Sequence, residues 1–129
     1  MKLYLYIFLL LITGIAPSFC QVLEKTTTWY STRTIELNSG QDINETTTLI
    51  TKGTSEIQFL RGGADFTFQI MSVNDRSAEH TEIDYNVSFQ GMAGIVKLYK
   101  ENEQYVFVID FSQSAEASIK QKILIERFE

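Results

Sequence analysis

Hydrophobic and polar side chains alternate with a period of two along most of this chain, and turn residues interrupt the alternation about every eight to twelve positions. Such alternation is typical of β-strands that bury one face, because successive side chains point to opposite sides of a sheet. No stretch carries an apolar stripe at helical spacing. The pattern predicts eight strands, over residues 27–37, 46–51, 56–61, 66–73, 82–90, 95–100, 105–111 and 119–128.

The short joints between these strands predict tight antiparallel hairpins, and hairpin geometry determines which residues face each other. The expected neighbours are Phe89 with Val96, Val96 with Ile109 and, earlier in the chain, Ile50 with Ile57. Each pair joins two apolar residues, so consecutive hairpins place their apolar side chains on one face. This agreement between neighbouring hairpins indicates a continuous meander.

A meander with one apolar face must cover that face, and a chain of this length does so most easily by curling on itself. We therefore predict an all-β fold in which an antiparallel meander of about eight strands forms a small up-and-down barrel or a strongly bent sheet. A two-sheet β-sandwich, with the longer joints as crossings, is the alternative. The predicted layout resembles that of lipocalin-like domains, although Thr27 and Thr28 precede Trp29 where those domains carry a Gly-x-Trp motif.

Residues 1–20 have the layout of a secretory signal peptide. A positive charge near the start is followed by an apolar run over residues 3–15, which is shorter than the roughly 20 residues needed to span a bilayer. The small side chain of Cys20 then precedes Gln21, which predicts cleavage between Cys20 and Gln21. Residues 21–129 are expected to form a single all-β domain, in the periplasm or outside the cell.

Cys20 is the only cysteine, so the predicted mature chain contains no disulfide, no thiol nucleophile and no thiolate metal ligand. Small secreted domains are often held together by disulfides. The composition therefore favours a bacterial protein whose stability comes from its apolar core.

Charge and titratable residues argue against several classes of function. The formal net charge is −5, and the lysines and arginines are scattered rather than clustered, which argues against a nucleic-acid partner. His80 is the only histidine, and without a second histidine or a cysteine beside it we expect no zinc site. No nucleophile–base pair can be named from the sequence. We predict a protein that is not an enzyme and that has no cofactor and no metal site.

Aromatic side chains form the main candidate site. Eight of them lie where they can point to the enclosed face of the predicted strands: Trp29, Phe59, Phe66, Phe68, Tyr85, Phe89, Tyr105 and Phe107. They would line an apolar ligand cavity, as in lipocalin-type barrels, or they would simply fill the interior of a small barrel. The cavity alternative predicts an exported binding module that holds a small apolar ligand or an envelope partner.

The strand over residues 105–111 is apolar on both faces, unlike its neighbours. Its outward residues Val106 and Val108 form an apolar patch together with Ile95 and Tyr99. Either a loop or another layer of the protein covers this patch, or the patch binds a second copy or a partner protein. The latter alternative predicts a structural or interaction protein that acts through its outer face.

Overall fold

The computed structural model describes residues 19–76, 82–111 and 119–129, and these segments form an all-β structure with one short helix. The elements, in chain order, are α1 (Phe19–Glu24), β1 (Thr26–Ser31), β2 (Arg33–Glu36), β3 (Asp42–Ile43), β4 (Thr47–Lys52), β5 (Glu56–Arg61), β6 (Ala64–Asp75), β7 (Glu82–Phe89), β8 (Met92–Glu101), β9 (Gln104–Asp110), β10 (Lys120–Leu124) and β11 (Arg127–Phe128). Each of the eight predicted strands is present, although the first and the last are divided in two. The short strand β3 is an addition that the alternation did not indicate.

All eleven described strands belong to one antiparallel sheet that curls on itself. Strands β4 to β9 follow one another as a meander, and β10 pairs with β9 at its end. The first strand segment closes the curl, because β1 pairs with both β4 and β11 while β2 pairs with β10. The predicted barrel-like meander, called the barrel below, is therefore confirmed, and the described strands do not form the two-sheet alternative.

Ser31 marks the point where the first strand changes partners. Its hydroxyl donates to the backbone carbonyl of Arg33 at 2.9 Å and accepts from the Arg33 N–H at 3.1 Å. These bonds satisfy backbone groups that leave the ladder between β1 and β2. The strand can then pass from β4 to β10, which brings the two ends of the meander together.

Three two-residue turns have positive φ at both positions, namely 62–63, 90–91 and 102–103. Such turns match the twist of the strands that they join. The predicted pairing of Val96 with Ile109 is confirmed, whereas that of Phe89 with Val96 is wrong because Phe89 pairs with Met92. The β7–β8 turn is tighter than expected, so β8 begins earlier. The shift is an even number of residues, and the inward face of β8 is therefore the predicted one.

The predicted pairing of Ile50 with Ile57 is also wrong. Ile57 pairs with Thr51, and Ile50 lies opposite Gln58 on the outward face. The reason is the loop of three residues, 53–55, that joins β4 to β5. A loop with an odd number of residues moves the register by one and exchanges the two faces of the strand.

Consecutive turns of the meander lie at opposite ends of the barrel. The end with the β5–β6 and β7–β8 turns is called the mouth, and the end with the β4–β5 and β8–β9 turns is called the base. Helix α1 lies against the base, where Val22 is buried in the core. The N–H of Gly53 donates to the carbonyl of Lys25 at 3.2 Å and ties the turn to the end of the helix.

Trp29 is the centre of the core near the base, with 0% of its surface exposed. Its ring centroid lies 5.3 Å from that of Tyr105, 5.2 Å from that of Phe107 and 5.4 Å from that of Phe128. The indole N–H donates to the hydroxyl of Thr51 at 3.0 Å. Edge-to-face packing and a satisfied indole N–H make this half of the interior densely packed.

Tyr85 is buried in the middle of the core, and its hydroxyl has no hydrogen-bond partner among the residues that the structure describes. A buried polar group without a partner costs about 1–3 kcal/mol relative to one that water solvates. We expect Tyr85→Phe to raise the free energy of unfolding by about 1 kcal/mol, because the phenylalanine ring has nearly the same shape. Urea denaturation followed by circular dichroism measures this difference, and a destabilised variant would contradict the expectation.

Because the Tyr85 hydroxyl is buried, we also expect the protein to lose stability at alkaline pH. Burial raises the pKa of Tyr85, and the negative charge of Asp75 raises it further. Above about pH 10 the phenol ionises in the unfolded chain but stays neutral in the folded chain, so stability falls as the pH rises. Tyr85→Phe should lose less stability than the wild type between about pH 9 and pH 11. Equal losses of stability in the wild type and in Tyr85→Phe would argue against ionisation of Tyr85 as the cause.

Candidate functional site

A cavity of about 210 Å³ opens at the mouth of the barrel. Strands β5 to β10 contribute to it through inward positions, so the alternation of side chains along each strand builds its wall. The lining residues are Phe59, Arg61, Phe66, Phe68, Phe89, Met92, Ile109, Phe111, Ile119 and Gln121. An apolar cavity with a few polar groups is the usual form of a small-molecule site. We call it the mouth pocket.

Phe68 organises the aromatic wall of the mouth pocket. Its ring centroid lies 5.5 Å from those of Phe89 and Phe111, with the Phe89 ring at 83° to it. Phe66 stands at the rim, where it is 40% exposed and packs its ring at 5.4 Å against Phe89. Edge-to-face contacts of this kind hold aromatic rings in defined orientations. The wall is therefore shaped before any ligand arrives.

Gly94 makes room for one part of that wall. A Cβ atom at this position would lie 2.5 Å from two ring carbons of Phe111, far inside van der Waals contact. Gly94 has no positive φ, so its lack of a side chain matters for space rather than for backbone conformation. The Phe111 ring lies across β8 at the glycine and reaches the mouth pocket from there.

Among the described residues, Arg61 is the one charged side chain that lines the mouth pocket. Its guanidinium donates from Nε to the hydroxyl of Thr47 at 2.8 Å, from one Nη to the hydroxyl of Thr34 at 2.8 Å, and from the other to Oε1 of Gln121 at 3.0 Å. Both threonines are buried inward-facing residues. Gln121 in turn donates to Glu36 at 3.3 Å. Neutral groups on three different strands thus hold the guanidinium in place.

The electrostatic setting of Arg61 is that of a partly desolvated cation. Burial lowers the pKa of its guanidinium, and the negative charge of Glu45 opposes that shift. The group nevertheless stays charged, since arginine is not deprotonated in proteins. Its central carbon lies 4.8 Å from the ring centroid of Phe59, which contributes a cation–π contact. The ion pairs formed between described residues do not include Arg61.

The eight aromatic candidates separate into three groups. Phe59, Phe66, Phe68 and Phe89 come together in the mouth pocket. Trp29, Tyr85 and Phe107 are buried packing residues away from it. Tyr105 borders a different hollow of about 540 Å³ at the base, whose other lining residues are Lys100, Glu103, Gln104, Ile125, Glu126 and Phe128. Four of the seven lining residues of that hollow are charged or carry an amide, against two of ten in the mouth pocket, so the mouth pocket is the stronger candidate for an apolar ligand.

Sequence reasoning missed Arg61, although the signal was present. Ile57, Phe59 and Arg61 follow one another at a period of two, so an inward Ile57 implies an inward arginine. Phe111 shares the parity of Phe107 in the same way. Met92 was missed for another reason, because residues 91–94 were expected to be a turn.

The outward patch is less exposed than its sequence suggests. Val106 is 1% exposed and Val108 is 8% exposed, while Ile95 and Tyr99 are half-buried. Lys97 and Lys122 lie beside Val108 on the two neighbouring strands, and the ammonium of Lys122 lies 2.9 Å from a carboxylate oxygen of Glu101. Charged side chains therefore flank Val108 on both sides, whereas Tyr99 and Leu124 flank Val106. The idea that this face binds a partner stays a prediction.

The described residues show neither a metal centre nor a membrane span. Across segments 19–76, 82–111 and 119–129, no group of three or more histidine, cysteine, aspartate or glutamate side chains is placed to hold a metal ion. Within these same segments, no helix is both long enough and apolar enough to cross a membrane. His80 lies outside the described residues.

The arrangement at the mouth supports reversible binding: aromatic walls offer apolar contact, and Arg61 offers a fixed cation with donor groups. The lining residues that the structure describes do not include a nucleophile paired with a general base. No protein-family model, curated protein or solved structure shows a significant match to this chain. The geometry of the mouth pocket therefore carries the functional conclusion.

Proposed function

We propose that this protein is an exported, non-enzymatic binding module that holds a small apolar ligand in the mouth pocket. The observation that carries the proposal is a cavity of about 210 Å³ in which eight of the ten described lining residues are apolar. Near the base, by contrast, the interior is filled by the Trp29 cluster, which consists of Trp29, Tyr105, Phe107 and Phe128. The apolar interior is thus filled near the base and leaves space near the mouth.

The volume of the mouth pocket limits the size of the ligand. An engineered cavity of about 150 Å³ binds benzene, and sites for drug-sized ligands have volumes of about 300–1,000 Å³. At about 210 Å³ the mouth pocket falls between them. It suits one aromatic ring with a short substituent, or a single medium-length alkyl chain. Burying such a chain contributes about 0.8 kcal/mol per methylene group before the costs of association.

Two methionines offer a matched test of the site. Met92 lines the mouth pocket, whereas Met71 is 71% exposed and lies outside it. We expect the wild type to bind 1-octanol with a dissociation constant of about 10 µM to 1 mM. Met92→Glu should weaken binding at least about tenfold, because it places a carboxylate against the alkyl chain, and Met71→Glu should change it less than about twofold.

Isothermal titration calorimetry with 1-octanol measures these affinities, with circular dichroism to confirm that each variant is folded. A wild type that does not bind 1-octanol would contradict the proposed function. Equal binding by Met92→Glu and the wild type would show that the ligand occupies another place.

Export is part of the proposal and has its own support. The apolar run over residues 3–15 and the small side chain at Cys20 suit a cleaved signal peptide. Cleavage before Gln21 would leave the buried Val22 in the mature chain, together with the hydrogen bond from the Lys25 N–H to the Gln21 carbonyl. Intact mass spectrometry of the protein recovered from an exporting bacterial host should show a chain that begins at Gln21. A chain that retains residues 1–20 would contradict this part of the proposal.

A further inference from the structure

Arg61 has more hydrogen-bond donors than the described residues use. A guanidinium carries five N–H groups in a planar fork. Three of them are occupied by the hydroxyls of Thr47 and Thr34 and by the amide oxygen of Gln121. The remaining two are available on a group that lines the mouth pocket. Two N–H groups of one guanidinium match the two oxygens of a carboxylate.

The charge of the mouth pocket also selects its ligand. All three groups that accept hydrogen bonds from Arg61 are neutral, and Arg61 is the only charged residue among the described residues of the lining. A partly desolvated cation gains most from an anion that reaches it from the apolar side. A monoanion neutralises a single guanidinium, whereas a phosphate monoester carries about −1.5 to −2 charges and would leave part of its charge unpaired.

The apolar walls define the rest of the ligand. Phe59 lies against the guanidinium at 4.8 Å, and Phe68 and Phe111 continue the wall away from it. A molecule whose head binds Arg61 would therefore lay its tail along aromatic rings. The tail has to be short, since the whole mouth pocket measures about 210 Å³.

We infer that the ligand of the mouth pocket is an amphipathic monocarboxylate, whose carboxylate binds Arg61 and whose medium-length alkyl or aryl tail packs among the phenylalanines. This inference rests on the proposed function and names the chemical class of its ligand. Arg61 is then the residue that selects anionic over neutral ligands, and the aromatic wall supplies the affinity that is independent of charge.

The first test needs only the wild-type protein and ligands of equal chain length. Calorimetric titrations compare octanoate, 1-octanol, octylamine and octyl phosphate. We expect octanoate to bind about tenfold to a hundredfold more tightly than 1-octanol, because hydrogen bonds to charged groups are the strong ones. Octanol binding as tightly as octanoate, or a preference for octylamine, would overturn the inference. Tighter binding of octyl phosphate would overturn the assignment of a carboxylate. Binding of none of the four would contradict the proposed function itself.

The second test removes the cation. Arg61→Gln should bring the affinity for octanoate to within about threefold of that for 1-octanol, and Arg61→Lys should retain part of the preference because it keeps the charge but not the fork. Arg33→Gln is the control, since Arg33 is exposed and pairs with Asp42 away from the mouth pocket. If folded Arg61→Gln keeps the wild-type preference for octanoate, the inference is wrong. If Arg61→Gln does not fold, the wild-type series and Arg61→Lys decide the question.

Discussion

Replacing Trp29 with alanine is expected to lower the free energy of unfolding by about 3–5 kcal/mol, a large part of the total for a domain of this size. The side chain is fully buried against Tyr105, Phe107 and Phe128, so its loss leaves a cavity between strands that belong to both ends of the meander. The hydroxyl of Thr51 also loses the hydrogen bond that it accepts from the indole N–H at 3.0 Å. Chemical denaturation followed by circular dichroism provides the measurement, because the substitution removes the only tryptophan.

Two further variants separate the causes of this effect. Trp29→Phe keeps a ring in the core and loses the hydrogen bond to Thr51, so we expect a smaller loss than for alanine. Met71→Ala removes a side chain that is 71% exposed and should change stability by less than about 0.5 kcal/mol. A Trp29→Ala protein as stable as Met71→Ala would show that the base of the barrel is not packed as described.

Gly94→Ala is expected to affect stability and ligand binding together. The added methyl group would lie 2.5 Å from the Phe111 ring, so the ring or the strand must move. Overpacking of this kind costs about 1–3 kcal/mol. Because Phe111 lines the mouth pocket, we also expect the affinity for 1-octanol to fall by about tenfold or more. Denaturation and calorimetry on the same preparation measure both effects.

Gly91→Ala is the matched control for backbone effects. Gly91 has a φ of 80° with open space around it, so alanine there strains the turn by about 1–2 kcal/mol without touching Phe111. We expect a loss of stability and an unchanged affinity for 1-octanol. A loss of affinity in Gly91→Ala equal to that in Gly94→Ala would argue that both act through stability alone.

A second substitution at Phe111 tests the cause of the Gly94→Ala effect. In a Phe111→Leu background the smaller side chain leaves room for the new methyl group, so Gly94→Ala should cost at least about 1 kcal/mol less than in the wild type. Additive losses in the double variant would show that the contact with Phe111 is not the source of the strain.

Much of the fold follows from alternation, because the burial of one face imposes a period of two that is visible in the sequence. The strand predicted over residues 82–90 corresponds to β7, and that over 105–111 corresponds to β9. Register was harder to predict. The loop 53–55 has an odd number of residues, and it turns Ile50 to the outward face instead of the predicted inward face. The length of this loop depends on turn geometry, which the apolar pattern alone does not reveal.

The candidate site was only partly predictable for a related reason. Alternation identifies inward residues, but it does not tell which inward residues pack tightly and which leave space. Phe68 lines the mouth pocket and Phe107 fills the core, although both are inward phenylalanines. The difference comes from neighbours across the barrel, including the missing side chain at Gly94, and those neighbours are distant in sequence.

Stability and the proposed ligand binding involve opposite ends of the barrel. The Trp29 cluster and the buried Val22 of α1 fill the base, which leaves the mouth free to carry an open cavity. Removing the Arg61 guanidinium partly from water at the mouth is unfavourable. Its three hydrogen bonds to Thr34, Thr47 and Gln121 offset this desolvation penalty. An anionic ligand would add the charge partner that these neutral groups do not provide.

A methyl NMR titration with octanoate tests whether the mouth pocket binds an amphipathic carboxylate. We predict saturable chemical-shift changes at the methyl groups of Met92, Ile109 and Ile119, which line the mouth pocket. The methyl groups of Val22 and Leu49, which belong to the buried core but not to that lining, should change little. Unchanged spectra at millimolar octanoate, or changes confined to the core methyl groups, would contradict the account.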